Sequence, residues 1–133
     1  MQHITMDGKT YRVRIVYPSL KRAFSIKEGQ NSGTAINGRK IRDIIGTEYA
    51  YSVDIEPDPM YPQDYDNFYD MVSAPVDYVH IAFPYGQEIM EFDAEILSGT
   101  DTFAGKIGGF NRWTGLSLTF APIRPQRREI YGE

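Results

Sequence analysis

Tyr49-Ala50-Tyr51-Ser52-Val53-Asp54-Ile55-Glu56 decides the fold. Large apolar side chains fall on every odd position, and small or acidic ones on every even position. That is the period of a strand with one dry face and one wet face. The same beat recurs along the chain. Met90, Phe92, Ala94 and Ile96 alternate with Glu91, Asp93 and Glu95; Leu116, Leu118 and Phe120 alternate with Ser117 and Thr119; Tyr11, Val13 and Ile15 lie opposite Arg12 and Arg14. His3–Met6 and Thr10–Tyr17 flank Asp7-Gly8, a dipeptide suited to the positive φ angles of a tight hairpin turn. Tyr78–Phe83 reads as a further strand that turns back at Pro84-Tyr85-Gly86. Half-buried antiparallel sheet accounts for all of these.

One helix is expected over residues 62–73. Tyr65, Phe68, Met71 and Val72 share a helical stripe, while Asp64, Asp66 and Asp70 lie off it. Pro75 ends the helix, and the proline-rich connector Glu56–Pro62 cannot continue a strand. The expected fold is therefore mainly β with one α-helix: an antiparallel β-sandwich or barrel in a single domain of 133 residues.

Residues 18–46 interrupt the alternation. Gly29, Gly33, Gly38 and Gly46 point to a long loop after the second strand, and Lys21, Arg22, Lys27, Arg39, Lys40 and Arg42 make it basic. Phe24, Ile26, Ile36, Ile41, Ile44 and Ile45 give it more apolar residues than a free linker needs. Two readings stand side by side: a hairpin folded back over its own sheet, or an arm that docks on a neighbour.

The charges are sorted. Thirteen acidic residues and no Lys or Arg fall within residues 47–101, whereas the first 46 residues hold nine basic against three acidic. Such blocks either pair internally, for example Arg12 and Arg14 with the acids of a neighbouring strand, or form oppositely signed surfaces that meet other copies. The net charge of −4 argues against a general nucleic-acid binder. No cysteine is present, which excludes thiolate metal sites and thiol nucleophiles. No stretch is long and apolar enough for a membrane helix, and Met1–Arg14 lacks the apolar run of a secretory signal.

Catalytic and cofactor motifs are weak. Gly33–Lys40 lacks the Gly-Lys-Ser/Thr ending of a phosphate loop. A calcium loop counted from Asp54 would place Pro59 and Tyr65 where Gly and Glu are needed. Glu91 and Glu95 are a carboxylate pair that any acidic strand would supply. His3 and His80 are the only histidines and have no ligand spacing. The reading is no enzyme, no metal and no cofactor, with Trp113 as an aromatic anchor at a sheet edge or interface.

Arg112-Trp113-Thr114-Gly115-Leu116-Ser117-Leu118-Thr119-Phe120-Ala121-Pro122-Ile123-Arg124-Pro125 resembles the closing strand of small proteins of prophage tail modules, and Ile4–Tyr11 has the same character. The layout of an N-terminal hairpin, long loop, further strands, one flanking helix and closing hairpin is similar to the fold of bacteriophage tail tube and distal tail proteins. The resemblance implies a structural, self-assembling virion component, put together in the host cytoplasm as a hexameric ring, with other tail proteins as partners. Its length suits a tube, terminator or adaptor role. It further implies that Lys21, Arg22, Phe24, Lys27, Arg39, Lys40 and Arg42 lie on an inter-subunit loop. Asp54, Glu56, Glu91, Asp93 and Glu95 would form an acidic face or lumen past which DNA slides. The alternative is a small β-barrel binding module whose basic loop grips an acidic partner.

Overall fold

Asp7 and Gly8 take φ angles of 50° and 82°, as the hairpin turn between β1 (Ile4–Met6) and β2 (Lys9–Tyr11) requires. The computed structural model describes residues 4–29, 33, 34, 36–38, 40, 41 and 44–128. After β2 follow β3 (Val13–Ile15), β4 (Lys21–Glu28), the short pair β5 (Gly33–Thr34) and β6 (Lys40–Ile41), and β7 (Ile44–Pro57). Helix α1 (Pro62–Val72) precedes β8 (Val79–Tyr85), β9 (Glu88–Ile107), β10 (Phe110–Pro122) and β11 (Arg127–Arg128).

Nine strands form one antiparallel sheet in the order β11-β7-β10-β9-β8-β1-β2, with β3 and β4 pairing on β7 as well. The sheet does not close; it folds over on itself like a sandwich. Ring contacts between strands that are not neighbours show the fold-over directly. Tyr51 of β7 stacks on Phe83 of β8 at 4.6 Å between centroids, and Phe83 meets the edge of Phe120 on β10 at 5.2 Å. Around them lie Val53, Ile55, Ile81, Phe92, Ala94, Leu116 and Leu118, all buried. The alternation read at Tyr49–Glu56 is the inside and outside of this core.

The run expected over Thr10–Tyr17 divides at Arg12, so that β2 pairs with β1 and β3 pairs with β7. The cause is the helix. Asp64, in the first turn of α1, accepts the Arg12 backbone N–H at 2.9 Å and its Nε–H at 2.8 Å, taking that donor out of the ladder. The Arg12 guanidinium also lies over the Tyr61 ring, 3.8 Å from its centroid. Arg12 thus pairs with the helix and not with the acids of β9. Helix α1 starts at Pro62, as expected, and buries Tyr65, Phe68 and Val72. Phe68 packs on Tyr11 edge to face at 5.5 Å.

The basic segment is strand over much of its length. Residues Lys21–Glu28 form β4 and pair with β7 from Lys21↔Ser52 to Glu28↔Ile44. This is the fold-back reading with one change: the hairpin extends the sheet sideways and does not cover it. Alternation within Arg22-Ala23-Phe24-Ser25-Ile26-Lys27 supplies the strand signal, which the flanking glycines mask.

Candidate assembly surfaces

Two hairpin arms and one acidic ridge stand out from the core. All eight residues of β4 are exposed. Directly paired residues of an antiparallel ladder share a face, and Arg22, Phe24 and Ile26 sit opposite Tyr51, Tyr49 and Thr47. Tyr49 and Tyr51 are core residues. The inner face of β4 is therefore a continuation of the core stripe, running past the end of the opposing layer. Phe24 is 70% exposed.

Where this stripe leaves the core, aromatic and cationic groups gather. The Tyr85 hydroxyl donates to the Tyr49 hydroxyl at 3.1 Å, and Arg22 lies 5.3 Å from the Tyr85 ring centroid. Arg127 of β11 faces Thr47 from the other side of β7, close enough to influence the Tyr49 hydroxyl electrostatically. The Tyr49 phenol is consequently held below its ordinary pKa, first by the Tyr85 hydrogen bond, then by Arg127. Gln126 fixes the geometry: its Oε1 accepts the Tyr49 N–H at 2.9 Å while its Nε2 donates to the Tyr49 carbonyl at 2.8 Å, replacing a strand partner. Among the described residues no carboxylate pairs with Arg22 or Arg127. The sequence points to Arg22 but not to Arg127, Tyr49, Tyr85 and Gln126, which the β7–β11 register and the fold-over of β8 onto β7 bring together.

Lys21 and Lys27 lie on the outer face of β4, and Lys27 pairs with Glu48 at 3.6 Å. Lys40 falls in β6. Arg39 and Arg42 lie outside the described residues.

The second arm is the distal half of the β9–β10 hairpin. Phe103 faces Trp113 across it, ring edge to face at 5.0 Å, and Ile107 faces Phe110 nearer the turn. All four are exposed, so Trp113 has the edge position expected of it. At the root of this arm Glu56 accepts the Thr114 hydroxyl at 2.6 Å and the Gly115 N–H at 2.9 Å. Asp54 accepts the Ser117 hydroxyl at 2.7 Å. These two acids therefore tie β7 to β10, and β10 separates them from the acids of β9.

Glu91, Asp93 and Glu95 do share the outward face of β9. Register places His80 directly opposite Asp93. The His80 Nδ1 lies 3.0 Å from Asp93, and Nε2 lies 3.0 Å from Glu91. Ionised carboxylates only accept, so making both hydrogen bonds at once requires hydrogen on both ring nitrogens, and the two acids favour the imidazolium form. Its pKa is raised, chiefly by the Asp93 hydrogen bond and next by Glu91. A raised folded-state value means that the stabilisation is fully present below the ordinary ~6.5 and is lost as pH rises through the raised value. An NMR titration of the His80 ring is expected to show a midpoint above 6.5; one at or below 6.5 would refute the clamp.

Among the described residues no helix is long and apolar enough to cross a membrane, and no cluster of three His, Cys, Asp or Glu is arranged to hold a metal ion. No protein-family model matches the chain, and no curated protein matches it.

Proposed function

We propose that this protein is a structural, self-assembling component of a phage or prophage tail, of the tube, terminator or adaptor kind, working without catalysis. The observation that carries the self-assembly is β4: a strand of eight exposed residues whose inner face repeats the core pattern. A chain gains nothing by exposing a core-type stripe alone in water, because each large apolar side chain forgoes roughly 1.5–3 kcal/mol of burial. Among the described strands only β7 pairs with β4, and monomeric proteins usually blunt a strand edge left in that position. The acidic outward face of β9 supplies a different surface, of opposite sign, on the same subunit. Two unlike complementary patches make a head-to-tail contact, which closes into rings or grows into filaments. The tail assignment itself rests on the sequence resemblance and the matching layout of hairpin, arm, helix and closing hairpin.

Light scattering with negative-stain imaging is the test. Rings or short tubes are expected at low salt, weakening above roughly 0.5 M, where the Debye length falls to a few ångströms. A monomer that persists at high concentration and low salt would sink the proposal.

A further inference from the structure

We infer that the inner face of β4 receives the outward ridge of β9 from a second copy of this chain, with Arg22 and Arg127 reading the ridge carboxylates; this rests on the self-assembly reading above. The ridge consists of Ile89, Glu91, Asp93 and Glu95, which face away from the core along one strand, followed by exposed Leu97 at a register irregularity. Ile89 and Leu97 are 65% and 57% exposed and bracket the acids. An apolar-acid-acid-acid-apolar line is an unusual composition for a solvated face, where singly scattered apolar residues are the norm.

The receiving face has the complementary composition. Phe24 and Ile26 provide apolar surface, and Arg22 and Arg127 provide two guanidinium groups to which no carboxylate among the described residues is paired. The Tyr49 and Tyr85 hydroxyls lie beside them as further polar contacts. Charge agrees too. Three ridge carboxylates, two of them hydrogen-bonded to His80, are set against two arginines, so the two surfaces are of opposite sign. Arginine suits this task, since its planar fork meets a carboxylate through two hydrogen bonds.

Length agrees as well. β4 has eight residues, about 26 Å of strand, and the ridge from Ile89 to Leu97 has nine, about 30 Å. Within one chain the two surfaces do not face each other, because the ridge points away from the core while the inner face of β4 continues the core side of β7. The occupant is therefore another copy.

The test uses two full-length variants. In the first, Arg22→Glu and Arg127→Glu make the arm acidic; in the second, Glu91→Lys and Glu95→Lys make the ridge basic. Each alone repels itself and is expected to lose self-association by roughly tenfold or more. An equimolar mixture restores it, because acidic arm then meets basic ridge and basic arm meets acidic ridge. Wild-type-like assembly of either variant alone, or failure of the mixture to recover, overturns the pairing while leaving self-assembly intact. A wild-type monomer at low salt overturns both. Should a charge variant misfold, the cysteine-free chain allows a second route: Phe24→Cys protein mixed with Ile89→Cys or Leu97→Cys protein. Oxidation is expected to give a disulfide-linked pair in one of the two mixtures. A disulfide in neither overturns the pairing.

Discussion

Replacing Phe68 with alanine is expected to lower the unfolding free energy by about 3–5 kcal/mol, the range for emptying a fully buried aromatic site. Phe68 is completely enclosed and is the central residue of the buried stripe of α1, with Tyr11 against its ring. The helix has no side-chain cap at its N-terminus, so its hold on the sheet depends on this packing and on Asp64. Urea denaturation monitored by circular dichroism measures the loss, and the melting temperature should fall by roughly 10–20 °C. Phe68→Leu keeps most of the apolar contact and should cost clearly less. A loss below about 1 kcal/mol for Phe68→Ala would show that α1 is not anchored through this ring.

The second large effect concerns Glu56. Removing its carboxylate with Glu56→Ala leaves the part-buried Gly115 N–H and the Thr114 hydroxyl without their acceptor, which costs about 1–3 kcal/mol. Gly115 has a φ of 67° within a register irregularity of β10, so this N–H points away from the regular ladder. Glu56→Gln retains one acceptor oxygen and should recover part of the loss. Urea unfolding gives the size, and hydrogen exchange gives the place: faster exchange at Gly115 with Tyr51–Val53 unchanged. A variant as stable as the wild type, with Gly115 still protected, would mean that water replaces the carboxylate at no cost.

Much of the architecture was readable because it depends on local rules. Tyr49–Glu56 and Leu116–Phe120 alternate because one face is buried, and Asp7-Gly8 turns because both residues tolerate positive φ. Pro62 opens the helix for the reason that proline suits a first turn, where no N–H is needed. The unread parts are long-range. Arg12 meets Asp64 across 52 positions, so a break in an otherwise regular strand leaves no local trace. Glu91 and Asp93 were seen as outward residues, but their partnership with His80 follows only from the β8–β9 register. Lys21–Glu28 reads as loop in the sequence because its eight residues are all exposed and Gly29, Gly33 and Gly38 follow it. The cluster at Arg22 draws on four strands, β4, β7, β8 and β11, from distant parts of the chain.

Strand β9 has one more consequence. It runs unbroken for 20 residues, a span of about 66 Å, and so carries both the acidic ridge and one side of the second arm. The two are therefore sections of a single beam. A load applied at the Gly108-Gly109 tip passes along covalent backbone to Glu95 and is resisted by the ladder to β8. The register irregularities near Trp113, Ser117 and Phe120 are the flexures where that beam bends first. Tension at one end is thereby felt at the other without any helix or loop between them.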